Sequence, residues 1–438
     1  MEQKSYYNTR TPYEKISRGR YESIARLLKK KNVRAVLDIG CGVGGLGKKL
    51  KEDGIVSSVY GLDISKEAVG EAKSVLDGAW VFDAESNSFP KEVPLEDVDI
   101  IIISEVLEHL FDPEEFLKNV RAVSSAPILI SVPNILFWKN RLKLLFGSFR
   151  YTQSGLMDRG HIRFFTPDTL KETLIRAGYE TVGTDHVFPT RITSLLNNVF
   201  PGLFARQFVV LADPIDVLVY TAIFGKYDTL APAPSIPGVA FVCVTDSEKY
   251  KVSGWTMQYM EPQYEDVVRN ARFVKVNPHI VFRHIPTSIW IDGNISVVGD
   301  VKEALEKYLA DGVSMAVYDH GSTVGDARTS LFEEAGVLIA SGKKDDPEVM
   351  QKQIDRYKEE GYADDQGLIS SMVMFRRHMD PVLQKGLSRW WEEIEGGSRR
   401  DQLSFNYAMW KEGVPFTYIK EDSRNNAYFV HVPHKKRS

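Results

Sequence analysis

Cysteine is scarce. The 438 residues hold two, Cys41 and Cys243, each inside an apolar, strand-like run. That excludes a disulfide framework and fits a reducing compartment. Basic residues are not in excess either. Against 59 aspartates and glutamates stand 55 lysines and arginines, a formal net charge of −4. A general nucleic-acid binder would carry a dense basic stripe, and none is present, so no nucleic-acid partner is expected. No apolar run reaches the roughly 18 residues of a membrane span. The polar start, MEQKSYYNTRTPYEK, does not read as a secretion signal. Internal repeats and low-complexity tracts are also lacking. A cytoplasmic location is therefore expected. One stretch opens an alternative: ILFWKNRLKLLFGSF (135–149) is basic and apolar at helical spacing. It suits an amphipathic lid or core helix, or a peripheral contact with the inner face of a membrane.

What the chain does have is an ordinary globular composition, with 43% hydrophobic and 26% charged residues. Two strand–helix series follow one another. In the first, RAVLDIG, SSVYGLD, AWVFDAE, VDIIIISE and APILISVPN are short apolar runs, mostly with polar helical patterns between them. This alternation predicts an α/β fold, a parallel sheet covered by helices on both faces. RQFVVLA closes the series. A second series opens at DPIDVLVYTAIFG and includes VAFVCVTD, SIWIDGNI, VSMAVYDH and FTYIKED. Two α/β domains of similar size are expected, 1–212 and 213–438.

The turn after the first strand reads LDIGCGVGGLG (37–47), with Gly40, Gly42 and Gly45 in the spacing G-x-G-x-x-G. Glycines there permit a tight turn and close approach of backbone to a ligand. Asp38 is more telling. A carboxylate beside such a turn repels a pyrophosphate and suits a cationic ligand, and S-adenosylmethionine carries an ammonium and a sulfonium. Three more acids end successive strands. Asp63 is placed to accept from ribose hydroxyls, Asp83 from the adenine amino group, and Glu105 lies at the sheet edge where substrate belongs. Glu105, Glu108 and His109 stand at i, i+3 and i+4, one face of a helix if a helix begins there.

On VLDIGCGVG, SEVLEHLFDPEEFLKNV, ILISVPN and GHIRFFTPDTLKETLIRAGYE, residues 34 to about 185 resemble class I S-adenosylmethionine-dependent methyltransferases of the small-molecule O-methyltransferase branch. The resemblance implies a Rossmann-like seven-stranded sheet whose last strand, RQFVVLA, is reversed. Glu105, Glu108, His109 and His161 resemble the metal-binding quartet of ubiquinone-pathway O-methyltransferases and small-RNA 2′-O-methyltransferases. Two uses stay open. The four side chains bind a divalent cation that acidifies an acceptor hydroxyl, or His109 or His161 acts as a metal-free general base.

In the second series, Thr221 lies on a strand that could cup a nucleoside. Arg269, Arg272 and Lys275 precede SIWIDGNI (288–295) and could neutralise a diphosphate. Asp292 and Asn294 end that strand. Further on come SRRDQLSFNYAMW, with Asp401, and YFVHVPHKK, with His431 and His434. The combination resembles GT-A-type glycosyltransferases, and more closely a group of glycosyltransferase-like domains of plants and bacteria, over about 216–436. That resemblance implies a nucleotide-sugar donor and a divalent metal, Mn or Mg, at Asp292, Asn294 and His431, with His434 as a substitute for His431. Asp401 is then a catalytic or acceptor-positioning acid, or else the cap of the helix that follows it. Where two acids are usual, Asn294 lowers the site's charge by one.

The two resemblances together imply a bifunctional enzyme of glycan assembly in polysaccharide biosynthesis. One domain would transfer a sugar to a saccharide or lipid-linked glycan acceptor, and the other would methylate a sugar hydroxyl. The alternatives are a methyltransferase tethered to an inactive sugar-binding module, and a methyltransferase of RNA 2′-hydroxyls.

Overall fold

The structure, a computed structural model, describes residues 17–432 apart from 87, 154, 190–199, 226–228, 311, 343 and 364. His434 lies outside the described residues. The chain divides into two compact units, Met1–Pro214 and Ile215–Ser438.

The first unit is one seven-stranded sheet. Its strands are β1 (Ala35–Ile39), β2 (Ser58–Asp63), β3 (Gly78–Val81), β4 (Ile100–Ser104), β5 (Ile128–Pro133), β6 (Tyr179–Val187) and β7 (Gln207–Pro214), in the order β3-β2-β1-β4-β5-β7-β6. The first five run parallel, and β7 is antiparallel to both β5 and β6. RQFVVLA is thus the reversed strand. β4 and β5 read IIIIS and ILISVP with almost every residue buried, as expected of strands covered on both faces. Two apolar cores flank the sheet: Ile101, Ile103 and Ile130 lie in one, Val36, Ile102 and Leu129 in the other.

Strand order 3-2-1-4 brings the ends of β1 to β4 to one edge, so four acids distant in sequence become neighbours along it. Helix α1 (Arg18–Lys31) packs Ile24, Leu27 and Leu28 into the second core. No α-helix begins at Glu105, so the shared helical face considered for Glu105, Glu108 and His109 does not form. Leu107–His109 form a single 3-10 turn, and Glu105 stands before it at φ 58. The α-helix starts at Pro113, where Asp112 caps it through Glu115 N. Further along, α2 (Trp138–Leu145) buries only Asn140. Leu144, Leu145 and Phe146 are exposed around it. Among the described residues, no helix is long and apolar enough to cross a membrane.

The second unit holds another seven-stranded sheet. We name β8 (Val217–Ile223), β9 (Val239–Thr245), β10 (Thr256–Tyr259), β11 (Thr287–Ile291), β12 (Ile295–Val297), β13 (Met315–Asp319), β14 (Ile369–Arg376), β15 (Thr417–Ile419) and β16 (Phe429–His431). The order is β10-β9-β8-β11-β14-β13-β15, and β12 pairs separately with β16. β8 to β11 are parallel to one another, whereas β14 runs against both β11 and β13. The β12–β16 pair sets Ile295 opposite His431, so the residues that follow Asp292 meet a strand from far along the chain.

Candidate functional site

Each unit carries a site at the edge where its parallel strands end. In the first, Gly40 takes φ 81, and a Cβ there would fall 2.5 Å from Val106 Cγ2, so the turn requires glycine. Gly42, at φ 53, has nothing within 4 Å of an added Cβ, and the backbone there faces open space. Gly45 begins the next helix. Asp63 braces the turn: its Oδ2 accepts from Gly42 N at 2.8 Å and its Oδ1 from Ser65 N at 2.9 Å. Asp83 follows β3 and accepts from Glu85 N at 3.1 Å.

Asp38 is buried beside this turn, with Oδ1 lacking any hydrogen-bond partner. Burial, then the nearby Asp63, pushes its carboxyl up to about 7. An unpaired buried carboxyl is costly on its own, and a cationic ligand would relieve that cost.

Glu108, His109 and His161 each place a ligating atom within 4.8 Å of the others. Both Glu108 oxygens are buried without a partner. Burial, with the charge of Glu105, raises the Glu108 carboxyl well above the usual carboxylate range. The two imidazoles meet edge to face with centroids 4.8 Å apart. His109 Nδ1 lies 2.9 Å from Gly160 O and His161 Nδ1 3.4 Å from Leu156 O. A carbonyl can only accept, so each Nδ1 carries a proton, and in the neutral imidazole Nε2 holds the lone pair. Metal-binding histidines are commonly oriented in this way. Glu105 does not join the group. It pairs with Arg20 at 3.1 Å and accepts from Gln207 Nε2 at 3.0 Å. Sequence reading missed Arg20 and Gln207. Arg20 had a signal, since it shares a helical face with Ile24, Leu27 and Leu28, where a charge needs a buried reason.

In the second unit, β11 delivers Asp292 to the sheet edge. Its Oδ1 accepts from Trp290 Nε1 at 2.7 Å and from Lys275 Nζ at 3.1 Å. Lys275 is wholly buried and also pairs with Asp401 Oδ2 at 2.6 Å. Arg272 reaches Asp401 Oδ1 at 3.3 Å. Burial opposes ionisation of Asp401, but Arg272, Lys275 and Arg400 outweigh it and hold the carboxyl well below its usual range. Asn294 Nδ2 lies 3.1 Å from His431 Nε2.

Asp292 N donates to Met372 O. Met372 and His431 line a cavity of about 800 Å³ with Val324, Asp422, Arg424 and Val430. Asp292, Asn294, His431 and the cavity therefore belong to one place.

Other expected residues stand elsewhere. Arg269 donates to the carbonyls of Gly397 at 2.7 Å and Ile394 at 3.4 Å. Lys275 faces two carboxylates with no surface of its own, so it cannot meet a diphosphate directly. Thr221 is buried within β8 and has no surface to offer a nucleoside. Asp401 is only 1% exposed and makes no side-chain cap bond to the helix after it. It is the anchor of two cations. Trp290 and Ser371, which complete the surroundings of Lys275, were not singled out by the sequence.

Comparison with known proteins matches residues 13–184 to the methyltransferase domain family, and 243–430 to the TOD1/MUCI70, glycosyltransferase-like domain family. Among curated proteins, the "Probable hexosyltransferase MUCI70" of Arabidopsis thaliana is 30% identical over 152 residues, 33% of this chain and 25% of that one. A ubiquinone biosynthesis O-methyltransferase of Bradyrhizobium diazoefficiens is 31% identical over 145 residues, 32% of this chain and 56% of that one. The chain thus spans about a quarter and about half of these two relatives. A solved S-adenosylmethionine-dependent methyltransferase of Archaeoglobus fulgidus is 22% identical and covers 44% of this chain and 94% of its own, with a TM-score of 0.33. Each unit thus carries a match to a different family model, a methyltransferase domain in the first and a TOD1/MUCI70, glycosyltransferase-like domain in the second.

Proposed function

We propose that the chain is a bifunctional enzyme of glycan assembly, which methylates a sugar hydroxyl and transfers a sugar to a saccharide or lipid-linked acceptor. The observation that carries this reading is one ligand-competent site in each unit. One is the buried, partnerless Asp38 oxygen at a glycine turn. The other is the Asp292 strand end beside a cavity large enough for a nucleotide-linked sugar.

In the first domain, S-adenosylmethionine fits the residues present. Asp38 takes its ammonium, Gly40 and Gly42 give room for its backbone contacts, and Asp63 and Asp83 face its ribose and adenine. Bound there, it supplies an electrophilic methyl group. Glu108, His109 and His161 fit a divalent cation, with two imidazole lone pairs and one carboxylate. An ion held by these three residues would lower the acceptor hydroxyl's pKa and orient it for attack. Arg20 holds Glu105 beside them, and Gln207 donates to the same oxygen, Oε2.

In the second domain, Asp292 and His431 would hold the donor together with Mn or Mg, which would offset the charge of the leaving diphosphate, and the cavity would take the sugar. Exposed Leu145 and Phe146, interleaved with Lys139, Arg141 and Lys143, suit a peripheral contact with an anionic membrane, where a lipid-linked acceptor would be found.

The experiment is twofold. Methyl-labelled S-adenosylmethionine is offered to oligosaccharides and to RNA, and nucleotide sugars are tested for turnover with and without Mn²⁺. Labelled saccharide together with sugar release supports the proposal. Label in RNA alone would replace it. A second reading, in which the second domain binds sugars without transferring them, is favoured by one feature: Asn294 stands where an acid is usual. It predicts binding of a nucleotide sugar with no turnover.

A further inference from the structure

Lys275 has three protons and three partners: Asp401 Oδ2 at 2.6 Å, Asp292 Oδ1 at 3.1 Å and Ser371 Oγ at 3.1 Å. Asp401 also binds Arg272. Over these four side chains the two negative and two positive charges cancel. Asp292 therefore reaches the donor site already paired. Trp290 holds the same oxygen as Lys275 does, and Oδ2 accepts from no described residue.

Two positions beyond Asp292, Asn294 supplies no charge. Asn294 Nδ2 can only donate, so His431 Nε2 accepts the 3.1 Å bond between them. That lone pair cannot ligate a metal until the bond is broken. A divalent cation gives up hydration for anionic ligands, and here it meets one neutralised carboxylate and one engaged imidazole.

We propose that Lys275 is a positioning residue that makes cation binding in the second domain conditional on the nucleotide. It clamps Asp292 through Oδ1, presents Oδ2, and cancels the charge that would otherwise attract a bare ion. The diphosphate then supplies the negative charge that Asn294 does not. This rests on the glycosyltransferase reading given above.

The test uses the full chain, with Mn²⁺, UDP and GDP as probes, and counts protein-bound Mn²⁺ by equilibrium dialysis. Adding UDP or GDP should raise the count by one. In N294D the extra ion should bind without nucleotide. K275M should tighten nucleotide-free Mn²⁺ binding about tenfold and weaken metal-free UDP binding about as much, from the loss of one nearby charge. A merely distorted site would weaken both. K275M leaves buried Asp401 short of a partner, so D292N serves if K275M does not fold. It should tighten metal-free UDP binding several-fold and abolish the nucleotide-dependent ion.

An ion that binds the parent equally well with and without nucleotide overturns the inference. So does a variant, K275M or D292N, that moves both ligands in the same direction. If UDP and GDP bind under no condition, the glycosyltransferase reading itself falls, and this inference with it.

Discussion

Asp38→Asn should separate two quantities that the parent protein couples. The Asp38 carboxyl is held at about 7 by burial and by Asp63. Against its ordinary 3.8, that difference is on the order of 4 kcal/mol. Because the folded value is raised, protonated Asp38 stabilises the fold fully below about pH 4. The contribution is lost as pH rises through about 7. Asparagine carries no charge to desolvate, so ligand-free D38N should melt above the parent at about pH 8. The gain should shrink as the pH falls.

Affinity for S-adenosylmethionine should move the other way. A hydrogen bond between charged groups is worth about 1.5–3 kcal/mol, so D38N should bind about 10- to 100-fold more weakly. In the parent, a proton must leave Asp38 before the ammonium is paired, and affinity should fall about tenfold per pH unit below about 7. The ligand's own amino group loses its charge above about 7.8, so the parent's profile should peak between the two values. D38N should lack the acid limb. Calorimetric titration from roughly pH 5.5 to 8.5, in two buffers of different ionisation heat, measures affinity and proton release together. The reasoning is refuted if D38N keeps the acid limb, binds as the parent does, or melts below it at about pH 8 without ligand.

At the neighbouring group, Glu108→Gln and His161→Ala should each remove a bound metal, read as metal per chain, and lower methyl transfer by about 100-fold. Equal metal content with equal loss of rate would leave only the general-base role. In the second domain, Asp292→Ala should abolish nucleotide-sugar turnover, whereas Asn294→Ala should weaken it by less than about tenfold; if neither changes turnover, this strand end is structural. On α2, replacing Leu145 and Phe146 by serine should cut co-sedimentation with vesicles rich in anionic lipid, while neutral vesicles bind neither form. Raised salt should weaken the parent's binding to the same vesicles.

Much of the architecture is legible in the sequence because buried parallel strands announce themselves locally. IIIIS and ILISVP are apolar but for one serine each, and the acids at the ends of such runs fall at one edge once the strands lie in order. The three-residue group at Glu108, His109 and His161 is also readable, since two of its members are adjacent. What local pattern could not give is the partner of a charge. Arg20 meets Glu105, and Lys275 meets Asp401, only because the topology folds distant segments together. For that reason Asp401 read as a site acid and Lys275 as a diphosphate contact, when each is the other's counter-ion. The condition set on Glu105, Glu108 and His109, that a helix begin there, is not met: the helix starts at Pro113, behind its Asp112 cap, and Asp112-Pro113 is the local signal for that start.

Asn294 and His431 are 137 residues apart, joined by their side chains and by the small β12–β16 ladder. Contacts of such sequence separation are the last that a chain makes, because closing so long a loop gains nothing until the segments between are in place. By that argument the proposed donor site is expected to assemble late in folding, after the seven-stranded sheet that carries Asp292. Substitutions at this pair should therefore act on the unfolding rate and leave the refolding rate nearly unchanged.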